Sequence, residues 1–506
     1  MKKILSLMLA CLMIMTAFTV TLPVFAASGT YASDAAAKVA SMVCRIGDAG
    51  TGTYYGTIEE AIAAVAADAT ATITMIANDT IETGAAEGSN THIKISKACN
   101  ITIEGANNTL TFENGGIITE TTGIKLTVNN LNIHSTWKTG IQSFIQGRKG
   151  AKITFNNCNF TSASDAGKWV VNKDGAGQDY KLFQINNSSD AATDLVFNGG
   201  SISCALTHES LSNIWLFMFR DGNQKGSVEF NGVDFDLKDT VSGFYGMGNN
   251  ATVTLRGDTA LSLKGYGIGS VSGGKFNIAD SASFNTTGEL IKSGCSKIAI
   301  IVSSNAETPF GAYAAPTMKD GASLRVSAKS YGMRFVSEIT EQTIEGATLS
   351  YGTVVTKKST VDALTNVGDW YTAINMVGHD DYIHIPASDG VKTADGKVTV
   401  TASVVDIKAE NVGVEVLGRA YVKYAYTESK VNVYVYSKLV TDKNTAIYKD
   451  VILEGLANVK TTADNEYKTE VAAYPVLTSG AYVWTSEKAY TRYTTLQYGE
   501  LKTIAG

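Results

Sequence analysis

The chain has 506 residues, a net charge of −6 and 44% hydrophobic residues. That length predicts two domains rather than one. A charge excess this small gives no electrostatic footprint for nucleic acid or an anionic membrane surface, and neither is an expected partner.

The first element in chain order reads as an export signal. Met1, Lys2 and Lys3 form a positive n-region, Ile4 to Leu22 an apolar h-region, and Val24-Phe25-Ala26 the stretch a signal peptidase reads. Cleavage is expected after Ala26. The stretch is short for a membrane anchor and polar sequence follows it, while no second apolar run of membrane length appears. Residues 1–26 are therefore expected to be a signal peptide, and the mature chain to be secreted and extracellular, with no membrane span. Five cysteines remain after cleavage: Cys44, Cys99, Cys158, Cys204 and Cys295. Their odd number and the lack of a C-x-x-C argue against a disulfide framework and a zinc site. They read as small apolar core residues.

A helix is predicted near 57–68, from the Thr57-x-x-Glu60 capping box and the apolar positions Ile58, Ile62 and Val65. It would cover an otherwise open sheet end. A repeat follows. Ile101-Thr-Ile-Glu-Gly, Leu126-Thr-Val-Asn-Asn, Ile153-Thr-Phe-Asn-Asn and Leu195-Val-Phe-Asn-Gly share one pattern, continued from Val228, Val253, Phe276 and Ile298. The intervals are 25, 27, 42, 33, 25, 23 and 22 residues. Each unit is a short strand with apolar residues two apart, an Asn or Gly bend, and a second short strand such as Leu131-Asn-Ile133 or Cys158-Asn-Phe160. Period-two patterning demands a sheet, and a unit this short buries its apolar face only by stacking on copies of itself. Stacking should turn the bend asparagines 129, 156, 198 and 231 into an amide ladder. The uneven intervals suit a right-handed parallel β-helix with variable loops better than a propeller with regular blades.

The opening run Tyr55-Gly-Thr-Ile-Glu-Glu-Ala-Ile, then Ala71-Thr-Ile-Thr-Met-Ile-Ala-Asn-Asp and Asn100-Ile-Thr-Ile-Glu-Gly, resembles pectate-lyase-like β-helix domains of surface proteins from Gram-positive bacteria, clostridia among them. The resemblance covers roughly residues 40–305 and implies the fold. It implies little about activity, because that fold carries lyases, glycosidases and adhesive modules alike. The Arg-x-Pro-x-x-Arg motif of such lyases is missing, and so are the Asn-Thr-Asp and Asp-Asp motifs of polygalacturonases. The best substitutes for a catalytic or calcium-binding set are Asp234 and Asp236, two apart on one strand, with Asp239 nearby. Apart from that calcium no cofactor is implied, and no metal site is expected.

Loop length points elsewhere. The two longest intervals are consecutive and hold Asp165, Lys168, Trp169, Lys173, Asp174 and Tyr180, then His208 and Glu209, with Trp137 and Lys138 at their border. Aromatic faces with charged partners on adjoining loops suit a sugar ligand. The strand Ile214–Phe219 is apolar on both faces, so something must cover its outer side.

Proline and tyrosine usage change near residue 310. Six of the 23 tyrosines precede it, and Pro309 and Pro316 fall inside 306–320, read as a linker between a β-helix over 27–305 and a second domain over 321–506. The two domains are expected to fold independently. The second alternates strongly, with a hairpin about Thr427–Lys430 and helical spacing from Ile447 to Leu456. It reads as a β-sandwich-like domain with one helix, and its Gly-Met-Arg-Phe run resembles an uncharacterised C-terminal domain of secreted clostridial proteins. The sequence thus leads to an all-β, secreted module that binds an extracellular polysaccharide or cell-surface component without evident catalysis. A polysaccharide lyase or glycoside hydrolase with an atypical site, and a structural spacer, are the alternatives.

Overall fold

The computed structural model describes residues 28–454 apart from 83–92, 137–142, 163–179, 206–213, 364–381 and breaks of one to five residues elsewhere. The expected signal peptide and residues 455–506 lie outside them. The protein is mostly β and built on long parallel sheets. Among the described residues no helix is long and apolar enough to cross a membrane.

The repeat anchors are partners across one continuous parallel register: Ala71, Ile101, Leu126, Ile153, Leu195, Val228, Val253 and Phe276. The register begins one strand earlier than the anchors foresee, at Ala71. It also ends differently, since Phe276 pairs with Ile300 and not with Ile298. A slip of two residues leaves the same face inward, so alternation alone does not fix it. Second strands stack in the same way, with Leu110, Ile133, Phe160, Ile202 and Phe235 as partners. A third strand in each repeat builds a separate seven-stranded parallel sheet, running from Ile93–Ile95 through Ile117–Thr119, Ile145–Arg148, Tyr180–Asn186, Ile214–Arg220 and Val241–Tyr245 to Ile268–Gly269. We refer to the anchor strands as the first sheet and to this one as the second.

The bend between first and second strands divides its work between two residues. Asn130, Asn157, Gly199, Gly232 and Gly257 hold φ between 51° and 65°. Only glycine and, at small cost, asparagine adopt that left-handed region readily. The residue before each one faces its counterparts above and below. Asn231 Nδ2 donates to Asn198 Oδ1 at 3.2 Å, Asn198 to Asn156 at 2.9 Å, and Asn156 to Asn129 at 2.7 Å. Asn129 then donates to the Glu104 carboxylate at 2.7 Å. The expected ladder is therefore present, with every donor pointing the same way and a carboxylate accepting at its end. A shorter ladder runs beside it from Ser201 to Asn159 to Asn132.

Inward positions fill with aromatic rings. Phe155, Phe197 and Phe230 lie in register on successive strands and stack at 5.2 and 4.9 Å between centroids. Phe160 and Phe183 meet Phe197 edge-on, and Phe144 meets Phe160 in the same way. All six are buried, and each such side chain contributes roughly 1.5–3 kcal/mol of transfer free energy. Cys44, Cys99, Cys158 and Cys204 are buried thiols, as expected of core residues, and Cys295 lies outside the described residues. Burial pushes the Cys158 thiol up to about 11.

Both ends of the first sheet are covered. At the start, the edge of Thr70–Met75 is paired antiparallel by Cys44–Ile46 and not left for a helix to cover; the predicted helix spans Ile58–Ala64, with the Thr57 hydroxyl accepting from the Glu60 amide and the buried Asp79 carboxylate accepting from the Ile58 amide at 2.8 Å. Ile58, Ala61 and Ile62 bury against the first strands. A second helix, Asp34–Val39, was not foreseen; Ser33 caps it, and only Ala37 of its residues is buried. At the far end, Ile298–Val302 pairs in parallel with Val431–Tyr436. That strand belongs to a hairpin with Glu415–Tyr426, and its turn falls where the sequence placed it. Glu415–Tyr426 pairs with Ala347–Lys357, which pairs with Tyr382–Ala387, all antiparallel. A separate antiparallel sheet centres on Tyr331–Thr340 and Lys397–Val405. Met333 and Phe335 pack there with Val355, Tyr448, Val451 and Ile452, the last three near or within the expected helix. The segment 306–320 carries a short antiparallel pair, Glu307–Thr308 with Gly311–Ala312, and Thr317–Met318 pairs with Ser337 and Glu338.

Two outcomes follow. Asn156→Leu leaves the Asn129 acceptor and the Asn198 donor without their partner and should cost about 1–3 kcal/mol in urea unfolding; a cost near zero would show that the ladder is only a consequence of stacking. A chain ending at residue 305 loses the strand paired to Ile298–Val302 and exposes that edge. Calorimetry and sedimentation should find a lower melting temperature and concentration-dependent association; parental melting of a monomer would show the closing strand to be dispensable.

Candidate ligand-binding face

Most residues singled out by loop length lie outside the described residues: Trp137, Lys138, Asp165, Lys168, Trp169, Lys173, Asp174, His208 and Glu209, together with Asp239. The described strands do fix where their segments attach. Segments 137–142, 163–179 and 206–213 each join a second strand to the next strand of the second sheet, in three consecutive repeats. Tyr180 opens the strand after one of them and pairs with Ile214.

Asp234 and Asp236 are exposed on the outer side of a second strand, one repeat beyond their register partners Ser201 and Ser203. The Ser203 hydroxyl donates to Asp236 Oδ2 at 3.3 Å. Further along the same row, Thr161 and His134 lie in register, with His134 Nδ1 2.8 Å from Thr161 Oγ1. Burial pushes the His134 imidazole below its ordinary value. This is a hydroxyl-rich row with the solvated Asp236 at one end; Asp234 ends the neighbouring row of Ser201, Asn159 and Asn132. Among the described residues no group of three or more His, Cys, Asp and Glu is placed to hold a metal ion.

A different face carries unmet chemistry. In the second sheet, pairs of consecutive residues turn into the core at the bend: Phe144 with Ile145, Leu182 with Phe183, Leu216 with Phe217. The residues beyond each pair therefore face outward. Gln146, Gln184, Met218 and Tyr245 form one outward row in register, and Lys181, Trp215 and Ser242 another. Arg148, Asn186 and Arg220 form a third. Gln184 and Trp215 are 1% and 0% exposed. Among the described residues, Gln184 Nε2, Trp215 Nε1 and Arg148 Nε find no acceptor, although each is shielded from solvent. One other guanidinium nitrogen of Arg148 donates to Gln146 Oε1 at 2.9 Å. Native proteins satisfy nearly all such groups, so three unmet donors on consecutive repeats call for an acceptor.

Trp215 explains how the strand Ile214–Arg220 covers its outer side. Its indole packs 5.0 Å from the Tyr245 ring and 6.4 Å from Tyr266, with Lys292 Nζ 5.9 Å from its centroid and 5.3 Å from that of Tyr266. Gly269 makes room for it, because a Cβ there would lie 2.4 Å from Trp215 Cη2. Tyr245 and Tyr266 are half-buried and give the row an aromatic end.

Loop length thus led to the border of this face, but not to the face itself. A signal for it exists: Ile145-Gln-Gly-Arg148, Phe183-Gln-Ile-Asn186 and Phe217-Met-Phe-Arg220 align when the chain is compared with itself at the repeat interval. No protein-family model, curated protein or solved structure matches the chain.

Gly269→Ala should displace the indole. The expected result is a loss of about 1–3 kcal/mol in stability and an altered near-ultraviolet circular dichroism spectrum. An unchanged spectrum and melting point would place Trp215 elsewhere in solution.

Proposed function

We propose that the chain is a secreted, non-catalytic module that binds an extracellular polysaccharide or another cell-surface component. On this reading its first part is a right-handed parallel β-helix of the pectate-lyase-like kind, followed by a β-sandwich-like domain, and ligand lies along the outer face of the second sheet. The observation that carries the reading is the set of donors on Arg148, Gln184 and Trp215, shielded from solvent and without acceptors among the described residues. Sugar hydroxyl and ring oxygens supply acceptors at close spacing, and half-buried tyrosines supply the flat apolar surface that sugar rings favour. The insertions at 163–179 and 206–213 attach along one border of that face, where Trp169, Lys168, Lys173 and Asp174 would add contacts. Asp234 and Asp236 lie on the other sheet, so the reading routes no reaction through them.

Gln184→Met tests it, because the fold and the ligand ask opposite things of that amide. Removing a buried donor without a partner should leave stability unchanged or raise it by up to about 1 kcal/mol. The same change should weaken binding to whichever polysaccharide a glycan array identifies by about tenfold, the equivalent of one hydrogen bond of roughly 1.4 kcal/mol. A folded variant that binds as tightly as the parent would remove the face from consideration.

A further inference from the structure

We propose that the separate antiparallel sheet carries a binding site for a phosphate monoester, with Arg325 and Arg334 as its cations. A sugar as carrier of that phosphate rests on the binding reading above; the anion site itself does not. Ser323–Val326, Tyr331–Thr340 and Lys397–Val405 are the strands concerned. Met333 and Phe335 turn into a core against which Leu324 and Val404 pack. Alternation sends the residues between them to the opposite side of the sheet. Packing therefore accounts for the leucine, methionine and phenylalanine of the runs Ser323-Leu-Arg325 and Gly332-Met-Arg-Phe335, and does not call for either arginine.

On that opposite side two rows cross the three strands. Arg325, Gly332 and Val405 are register partners in one, and Ser323, Arg334 and Ser403 in the other. The two arginines are thus diagonal neighbours, about 7–8 Å apart and within reach of long side chains. Gly332 brings no side chain, and a Cβ there would lie 2.0 Å from the Val404 carbonyl oxygen. The place above it is therefore kept open, bordered by both arginines and by the exposed Val405. Both arginines are half-buried and remain within a ligand's reach. Serines flank Arg334 on either side, and among the described residues it forms no ion pair. Glu338 is the only acid in the three strands; it lies roughly 13 Å along from Arg334, with Lys397 Nζ at 3.7 Å. Arg334 Nε is shielded from solvent and meets no acceptor among the described residues. Native structures satisfy nearly all such donors, and an oxyanion seated over Gly332 supplies the acceptor. A phosphate monoester brings three acceptor oxygens and a charge of about −1.5 to −2. Two guanidinium forks around one opening match that charge and geometry.

The test titrates glucose 6-phosphate, glucose 6-sulfate and glucose against the full chain by calorimetry. Binding of the phosphate is expected, with weaker binding of the sulfate and none of glucose. Affinity for the phosphate should rise as pH increases through about 6, where the monoester takes its second charge while the guanidiniums keep theirs. Affinity for the sulfate should not change there. Arg325→Gln and Arg334→Gln, each checked for parental melting, should lower phosphate affinity roughly tenfold, the loss of a charge-assisted hydrogen bond. Arg334→Lys keeps the charge but not the fork and should lower it about fivefold. Lys397→Gln removes the same charge from the same sheet and should change affinity less than about twofold. Parental affinity in both folded glutamine variants, an equal loss in Lys397→Gln, or phosphate binding indifferent to that pH step overturns the site. Tighter binding of a phosphoserine peptide than of the sugar phosphate overturns the sugar as carrier. Binding of none of these probes overturns the inference and leaves the glycan reading, which uses none of these residues, standing.

Discussion

The fold depends on a bend that returns the chain at the same height in every repeat. In the four repeats anchored at Leu126, Ile153, Leu195 and Val228 two adjacent residues achieve this, and the Asn-Asn and Asn-Gly doublets of the sequence are their record. The first residue bonds along the stack and the second takes the left-handed conformation that turns the strand. Neither role substitutes for the other: glycine in the first position would leave no amide to bond, and a β-branched residue in the second would strain the turn. The doublet sets the register of the first and second strands, and the third strands inherit it through short connections.

The two sheets treat their outer polar groups differently. On the first, most amides and hydroxyls answer one another: Asn to Asn, Ser201 to Asn159, Ser227 to Asp194, and Lys152 in an ion pair with Asp194, although Asn277 Oδ1 finds no donor among the described residues. On the second, Gln146 has a partner in Arg148, but the next outward amide, Gln184, has none for its nitrogen among the described residues. A stacked architecture repeats any solution at each level, so local self-sufficiency comes easily to it. Departures from self-sufficiency in natural proteins tend to mark functional places, which is why the second sheet and not the longer first one holds the candidate face.

How much of this was legible follows from the range of each signal. The anchor strands, the amide ladder, the capped helix at Ile58–Ala64 and the hairpin about 427–430 rest on residues close in sequence, and all were readable. The last anchor was misplaced by two because Ile298, Ile300 and Val302 are all apolar on one face, so alternation allows either register. Apart from Ile214–Phe219, the third strands were obscured by their bend, where two consecutive core residues break the period of two. The helix Asp34–Val39 is short, with one buried residue, and carries no periodic stripe to detect. Pairing of Ile298–Val302 with Val431–Tyr436 joins segments far apart in the chain, and no local pattern encodes it. The insertions were recognised by length, which reveals a border but says nothing about the chemistry beside it.

That distant pairing gives the stack the character of a one-dimensional growth process with a separate termination step. The chain emerges in order, so the helix Ile58–Ala64 is available to seed growth before any repeat exists. Each repeat then adds to an edge whose backbone groups await a partner, and the edge left by Ile298–Val302 stays open until Val431–Tyr436 arrives. During that interval the growing end matches a strand of any neighbouring chain as well as its own. The hairpin that delivers the terminating strand is folded on itself, with Glu415–Tyr426 already engaged to Ala347–Lys357. The pace at which residues 306–436 assemble, relative to encounter with other chains, decides whether growth ends within one molecule or between two.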